Sequence, residues 1–425
     1  MKVLWVSTSI IGPAAKILES DYNRTSGTWI ATEYEELQNE AEVVFLCGTR
    51  KNLGGTYEHQ KNENGEAYAI ELPAPATGVY PSDAILNLVT SIVEQVKPDI
   101  IHIWGTETCI QTAAACVCPD IPKIVFIQGL IGIHSRYLGG YLKISPKYYL
   151  SLRLIKQYLL KGLQDRLFKK QAEYEKLILT KVNNAIVDNL FSKAYCSSVS
   201  PSVRCYTKQL KANTVFTQEK WEYENCEKNT IFTVYAPNPD KGLHQLLKAL
   251  SIVKKKHNNI LLKIPGKYNF ITDETGKITG KSSACQPFEN WIYDYIIKNE
   301  LCDNVCFLGP LSQKEMAENL KKANMFANPS IMEVHALSLR EAMTVGVPCI
   351  SSVCGSVSEY AVNQKNAFLY RYEEYEILAF LIDMLISDKD LSTKIGKNAR
   401  ESMMEAKTTI TLNDIYQDIC KNKNN

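Results

Sequence analysis

Short apolar runs alternate with longer stretches of helical spacing along most of the chain. Residues 3–7 (VLWVS) read as a buried strand. Residues 27–39 place Trp29, Ile30, Tyr34 and Leu37 at helical spacing, and 42–47 form a second apolar run before a Gly48-Thr49 turn. Residues 82–96 predict a helix opened by Ser82-Asp83 and closed before Pro98. Strands are predicted over 98–105 (PDIIHIWG) and 123–127. The rhythm restarts with a strand over 230–235. A helix over 242–257 then carries Leu243, Leu246, Leu247, Leu250 and Val253 on one face. Strands follow at 260–264 and 305–308, each ended by a glycine. Ser312 to Glu315 is a capping box opening a helix to 323, and further strands fall at 325–327 and 347–351. Strands alternating with helices predict parallel sheets covered on both faces. The fold class expected is α/β, with two Rossmann-like doubly wound domains facing a cleft. In such sheets ligands sit beyond the carboxyl ends of the strands.

Composition narrows the partners. Among 425 residues, 48 Lys and Arg against 46 Asp and Glu leave a net charge of +2, too balanced for a protein whose main partner is nucleic acid. No run of 18 apolar residues predicts a membrane-spanning helix. At the start, Ser7, Thr8 and Ser9 break the apolar run of 3–6, so the segment reads as a first strand rather than a signal peptide. Thirteen cysteines without a CxxC pair fit a reducing compartment, which implies cytoplasmic localisation. Two segments break the alternation. Residues 267–286 are polar and read as a surface insertion. Residues 142–181 are helical, with ten Lys or Arg against three Asp or Glu. Leu150, Leu154, Tyr158, Leu159, Leu163 and Leu167 recur there at helical spacing. That pattern fits either surface helices with a solvated basic face or peripheral contact with an anionic membrane surface.

The densest chemistry lies in 328–348, where seven residues separate Glu333 from Glu341. The first follows a strand and loop, and the second opens a helix that Gly346 and Pro348 end. A carboxylate there can accept two hydroxyl hydrogens, as a sugar or ribose diol offers. Amides at the helix start can hold an anion such as a diphosphate. The competing reading makes Ser338 to Glu341 a capping box and Glu333 a solvated loop residue. His102 lies in a buried strand, as a core residue or an acceptor contact, and His134 follows a glycine-containing loop. His59, His244 and His257 read as surface residues. No Asp-x-Asp strand end, HExxH or Cys/His array points to a catalytic metal.

Glu333-x7-Glu341 followed by Ala342-Met343-x-x-Gly346-x-Pro348 resembles the donor motif of family-4 retaining glycosyltransferases of GT-B fold. Lys97-Pro-Asp-Ile-Ile-His102, Lys241-Gly242-Leu243, Val305-Cys-Phe-Leu-Gly309 and Gly355-Ser356 with Glu359 fall in the family's order, most densely over 230–400. Residues 216–221 look like its bacterial surface-polysaccharide branch. The resemblance implies an acceptor-side domain over 1–212, a donor domain over 213–400, and a helix in 401–425 crossing back to the first. It implies catalytic roles for Glu333, on donor-sugar hydroxyls, and for Lys241, on the diphosphate. Glu341 would hold the ribose. Val334, His335, Ala336 and Leu337 would lie along the sugar and diphosphate, with Gly27 and Gly309 leaving space for the nucleotide. His102 and His134 are the acceptor candidates. Two positions depart from the family pattern. Ala236 stands where an Arg is usual, with Lys267 as a substitute, and Gln128 stands where a His is frequent. Gln128 can hold sugar or acceptor by hydrogen bonds but cannot shuttle a proton. The implied activity is sugar transfer with retention, from a UDP- or GDP-linked donor to a glycan or lipid-linked acceptor, in polysaccharide biosynthesis, without further cofactor. A nucleotide-sugar epimerase and a non-catalytic nucleotide-sugar or glycan binder are the alternatives.

Overall fold

The computed structural model describes residues 1–19, 28–149, 151–209, 213–234, 238–405 and 410–422. The chain divides into two compact units. One comprises Met1–Arg136, Gly162–Lys211 and Thr408–Asn425, and the other Tyr137–Lys161 and Ala212–Lys407.

The first unit is built on eight strands: β1 (Lys2–Ser7), β2 (Glu42–Thr49), β3 (Tyr57–Asn62), β4 (Gly65–Glu71), β5 (Ile100–Trp104), β6 (Lys123–Phe126), β7 (Asn184–Val187) and β8 (Arg204–Thr207). Their order is β3-β4-β2-β1-β5-β6-β7-β8. Only β3 runs antiparallel to its neighbour β4. The central strands β5 and β6 are buried along their whole length, as a parallel sheet with covered faces requires. Trp5 and Trp104 meet edge to face at 4.9 Å, and His102 stacks on Trp104 at 4.1 Å. Helix Leu412–Asn422 belongs to this unit. Its buried Tyr416 hydroxyl accepts from Trp5 Nε1 at 3.1 Å and lies 2.5 Å from Nδ1 of His102. Lys208 and Glu33 form a buried ion pair at 2.8 Å.

The second unit holds β9 (Glu227–Phe232), β10 (Leu261–Pro265), a hairpin of β11 (Phe270–Thr272) and β12 (Ile278–Lys281), then β13 (Val305–Gly309), β14 (Ala323–Asn328), β15 (Cys349–Ser352) and β16 (Phe368–Tyr370). The main sheet runs β13-β10-β9-β14-β15-β16, with every pair parallel. Arg400 donates to the carbonyls of Thr217, Glu219 and Thr344, and Trp221 Nε1 donates to Ala323 at 2.7 Å. These bonds fix residues 217–221 against helices Leu337–Val345 and Lys389–Met404.

Three expectations change. Residues 137–161 pack with the second unit, although the sequence placed them in the first. Tyr372 donates to Gly140 O at 2.9 Å, and Arg153 donates to the carbonyls of Ser283 and Cys285 at 3.0 Å. Residues 267–286 are not only surface. Their hairpin sends Phe270 and Ile278 into the core, and Cys285 follows it there. Strands β3, β4, β7, β8 and β16 were not foreseen. β3 is a polar edge, and β7, β8 and β16 have three or four residues, too few for a period to register.

Tyr416→Phe should leave the buried Trp5 and His102 nitrogens short of a partner. The expected loss is about 1–3 kcal/mol, seen as an earlier urea transition followed by tryptophan fluorescence.

Candidate functional site

In the second sheet the chain order reverses between β9 and β14. Loops leaving the carboxyl ends of strands at such a point form a ligand-binding crevice. The loop after β9 ends in the short 3-10 helix Pro239–Lys241, and the loop after β14 carries Glu333. Lys241 Nζ lies 2.7 Å from Glu333 Oε1, with 28% and 18% of the two side chains exposed. Burial works against the Lys241 charge. The Glu333 carboxylate, helped by Asp240, outweighs it and leaves the ammonium above the usual lysine range. The two loops are also tied through their backbones, Ile331 N donating to Asp240 O at 2.9 Å. Gly242 has φ +72°, and a Cβ there would stand 1.8 Å from Pro329 O. Gly355 is as tightly placed, since its Cβ would stand 1.6 Å from Glu333 O. Beside it, Ser356 Oγ donates to Val334 O at 2.6 Å and holds the loop down.

Helix Leu337–Val345 begins where this loop ends. Ala336 precedes it with φ 43° and ψ 50°, and no side chain caps it. The capping-box reading of Ser338 and Glu341 therefore does not hold. Left-handed Ala336 starts the helix early enough that Ser338 is already its second residue. The Leu339 and Arg340 amides donate to Ala336 O. The Leu337 and Ser338 amides have no acceptor within the helix, and the positive end of its dipole lies there. Glu341 is half-buried and makes no hydrogen bond or ion pair with a described residue. Burial pushes its carboxyl up to about 7.

The predicted residues separate by unit. Glu333, Lys241, Val334, His335, Ala336 and Leu337 share the β9 and β14 loops and the helix mouth. Gly309 ends β13 with φ +74° and open space where a Cβ would stand. Lys267 is exposed and has no partner among the described residues. Gln128, His102 and His134 lie in the first unit. Gln128 is half-buried without a described partner. His102 is fully buried in the core, and its burial, with Lys208 nearby, holds it well below the usual histidine range. It is a core histidine bonded to Tyr416, one of the two readings its strand allowed. His134 ends the short helix Ile131–His134 with its ring edge-on to Phe168. Gly27 and Ala236 lie outside the described residues. Two histidines read as surface are not. His244 is buried beside the Tyr372 hydroxyl at 3.2 Å, and His257 pairs with Asp383 at 2.6 Å. Glu107 was overlooked. It follows β5 as Glu333 follows β14, and the same strand-end rule points to it.

Comparison with known proteins bears on the second unit. Residues 215–402 match the family model described as glycosyl transferases group 1. The match covers less than half of the chain and includes Lys241, Gly309, Glu333 and Glu341. An uncharacterized glycosyltransferase of Bacillus subtilis, YqgM, is 28% identical over 167 residues, 39% of this chain and 42% of that protein. The N-acetyl-α-D-glucosaminyl L-malate synthase of Bacillus anthracis is 30% identical over 135 residues, 31% of this chain and 35% of that protein. The chain thus spans well under half the length of either relative. Among solved structures, Anabaena HepE in complex with UDP covers 99% of both chains at TM-score 0.63 and 15% identity. That likeness concerns the fold, two Rossmann-like units of GT-B type.

The raised Glu341 carboxyl gives a pH signature. Its folded value of about 7 lies above the ordinary 4.5, so stability falls as pH rises between them. Glu341→Gln should therefore melt a few degrees above wild type at about pH 8. The two should coincide at about pH 4, which scanning calorimetry across pH will test.

Proposed function

We propose that the chain is a retaining glycosyltransferase. It would move a sugar from a nucleoside-diphosphate donor to a glycan or lipid-linked acceptor in polysaccharide biosynthesis. The Lys241–Glu333 pair at the chain reversal of the second sheet carries this reading, and the match to group 1 glycosyl transferases supports it. Glu341 would accept the two ribose hydroxyls. The diphosphate would sit against the first-turn amides of helix Leu337–Val345 and draw Lys241 away from Glu333. The released Glu333 carboxylate would then accept hydroxyls of the donor sugar. As the bond from the anomeric carbon to the phosphate oxygen breaks, negative charge grows on the departing diphosphate. Lys241 is placed to stabilise it. The acceptor hydroxyl attacks from the same face and gives its proton to that phosphate, so no side-chain base is needed. Gln128 would hold the sugar or acceptor by hydrogen bonds.

The test is thermal stabilisation in EDTA by UDP, GDP and ADP. A nucleotide at about 100 times its Kd adds about 2.7 kcal/mol, a shift of several degrees. One nucleotide should stabilise wild type and fail on Glu341→Ala. Glu333→Ala should keep free-nucleotide binding and lose sugar transfer. Silence from all three nucleotides overturns the reading, and donor conversion without acceptor would indicate an epimerase.

We further infer that the transferase works at the cytoplasmic face of a membrane, through helix Leu152–Val182. Among the described residues no helix is long and apolar enough to cross one. This helix nevertheless exposes 74% of Leu159 and 51% of Leu163, with Lys156, Arg166, Lys169 and Lys170 also exposed. Apolar side chains flanked by cations suit an anionic bilayer surface. The chain should cosediment with phosphatidylglycerol vesicles and not with phosphatidylcholine vesicles. Lys169→Glu with Lys170→Glu should abolish that, and binding indifferent to lipid charge would contradict it.

A further inference from the structure

All thirteen cysteines are free thiols. Cys47, Cys109, Cys349 and Cys354 are buried, and burial pushes their thiols up, as in inert core residues. Two other cysteines meet each other. Cys196 lies on helix Leu190–Val199, and Cys205 lies on β8, the last strand at one edge of the first sheet. The Cys196 thiol donates a hydrogen bond to the Cys205 sulfur. The two stand nine positions apart, on either side of a turn that carries Pro201. They differ in access, for Cys196 is fully buried while Cys205 is half-buried.

Cys205 has the surroundings of a reactive thiol. The hydrogen bond from Cys196 favours its thiolate, and Lys193 and Ser197 of the same helix add to that. Together they outweigh burial and bring the thiol down to about 7. The partner moves the other way. The bond it gives to Cys205, and then its burial, hold the Cys196 thiol protonated. One sulfur is thus ready to attack from the accessible side, and a second waits directly behind it. In a reducing compartment a lasting disulfide does not form, but a transient one between two such sulfurs is the ordinary chemistry of redox sensing.

β8 is held from both sides, because successive side chains of a strand face opposite ways. Cys205 faces helix Leu190–Val199. Its neighbours Arg204 and Tyr206 both reach Asp418 of helix Leu412–Asn422, at 2.8 and 2.6 Å. The cysteine pair therefore stands behind the strand that seats the last helix. We propose that Cys196 and Cys205 form a thiol–disulfide exchange site, which takes a low-molecular-weight disulfide and, once oxidised, clamps the seat of the last helix. The Cys205 thiolate attacks one sulfur of that disulfide, whose S–S bond breaks and releases one small thiolate. Cys196 then attacks the Cys205 sulfur of the mixed disulfide. A bond forms between the two protein sulfurs, and the second small thiolate leaves. The protons of the two protein thiols pass through solvent to the two departing thiolates. Two protein thiols are oxidised, and one small disulfide is reduced to two thiols. The site stands apart from the glycosyltransferase reading and does not depend on it.

In the experiment the reduced full-length chain is incubated with glutathione disulfide at neutral pH, alkylated, cut with trypsin and weighed. Cleavage after Lys193 and Arg204 separates the two cysteines, so the disulfide joins peptide 194–204 to peptide 205–208. This linkage should form about tenfold faster than any other cysteine is modified, and dithiothreitol should reverse it. Cys196→Ser should stop at one glutathione on Cys205, and Cys205→Ser should leave Cys196 unmodified. Hydrogen exchange in helix Leu412–Asn422 should slow in the oxidised chain. The wild-type linkage decides the matter even where a variant does not fold. Glutathione adducts spread over other cysteines, with no link between 194–204 and 205–208, overturn the exchange site. Linkage with unchanged exchange in the last helix overturns the clamp.

Discussion

The second unit is organised around one half-buried ion pair. Lys241 and Glu333 leave the ends of two neighbouring strands and meet at 2.7 Å. Removing two charges from water is costly unless each neutralises the other, and stripping one partner would leave the other charge stranded. The loops must therefore approach closely, and the backbone is built for it. Gly242 lies against Pro329 and Gly355 against Glu333, with no room for a side chain at either. Ser356 then closes the loop from behind. The pair holds the lysine above its usual range in a place where burial alone would lower it.

Glu341 presents the opposite condition. It has no described partner, and its carboxyl sits near half ionisation at neutral pH. In the proposed ribose-binding role, a diol donating two hydrogen bonds would stabilise the ionised form, so binding would expel a proton and strengthen as pH rises through about 7. A capping role would have given this carboxylate backbone donors and a low value. Left-handed Ala336 removes that role by starting the helix early. The local backbone thus leaves the side chain free for a ligand.

Much of this was legible from the sequence, for definite reasons. Long apolar strands such as β1, β2 and β5 announce themselves by their runs, and Lys241, Glu333 and Gly309 sit at strand ends that those runs locate. What was hidden depends on distant contacts or backbone angles. His102 reads as a buried-strand residue, but its engagement by the core depends on Tyr416, 314 positions away. The polar letters of 267–286 mask Phe270 and Ile278 because a short hairpin buries only alternate residues. Residues 137–161 follow the second unit through Tyr372 and Arg153, which no local pattern encodes. The apparent capping box failed because spacing cannot reveal that Ala336 adopts φ 43°.

The two sheets solve the same geometric problem with different charges. Each reverses its chain order between two central strands and places a carboxylate on a loop that leaves one of them. Each needs a glycine of positive φ in those loops, Gly105 in the first and Gly242 in the second. Among the described residues, a lysine meets the carboxylate only in the second, where the adjoining loop also runs into a nine-residue helix. In the first, the Glu107 carboxyl is met by the Gln111 side-chain amide at 3.4 Å and by main-chain amides. A cation beside a helix dipole favours an anion, whereas a carboxylate met by amides alone does not.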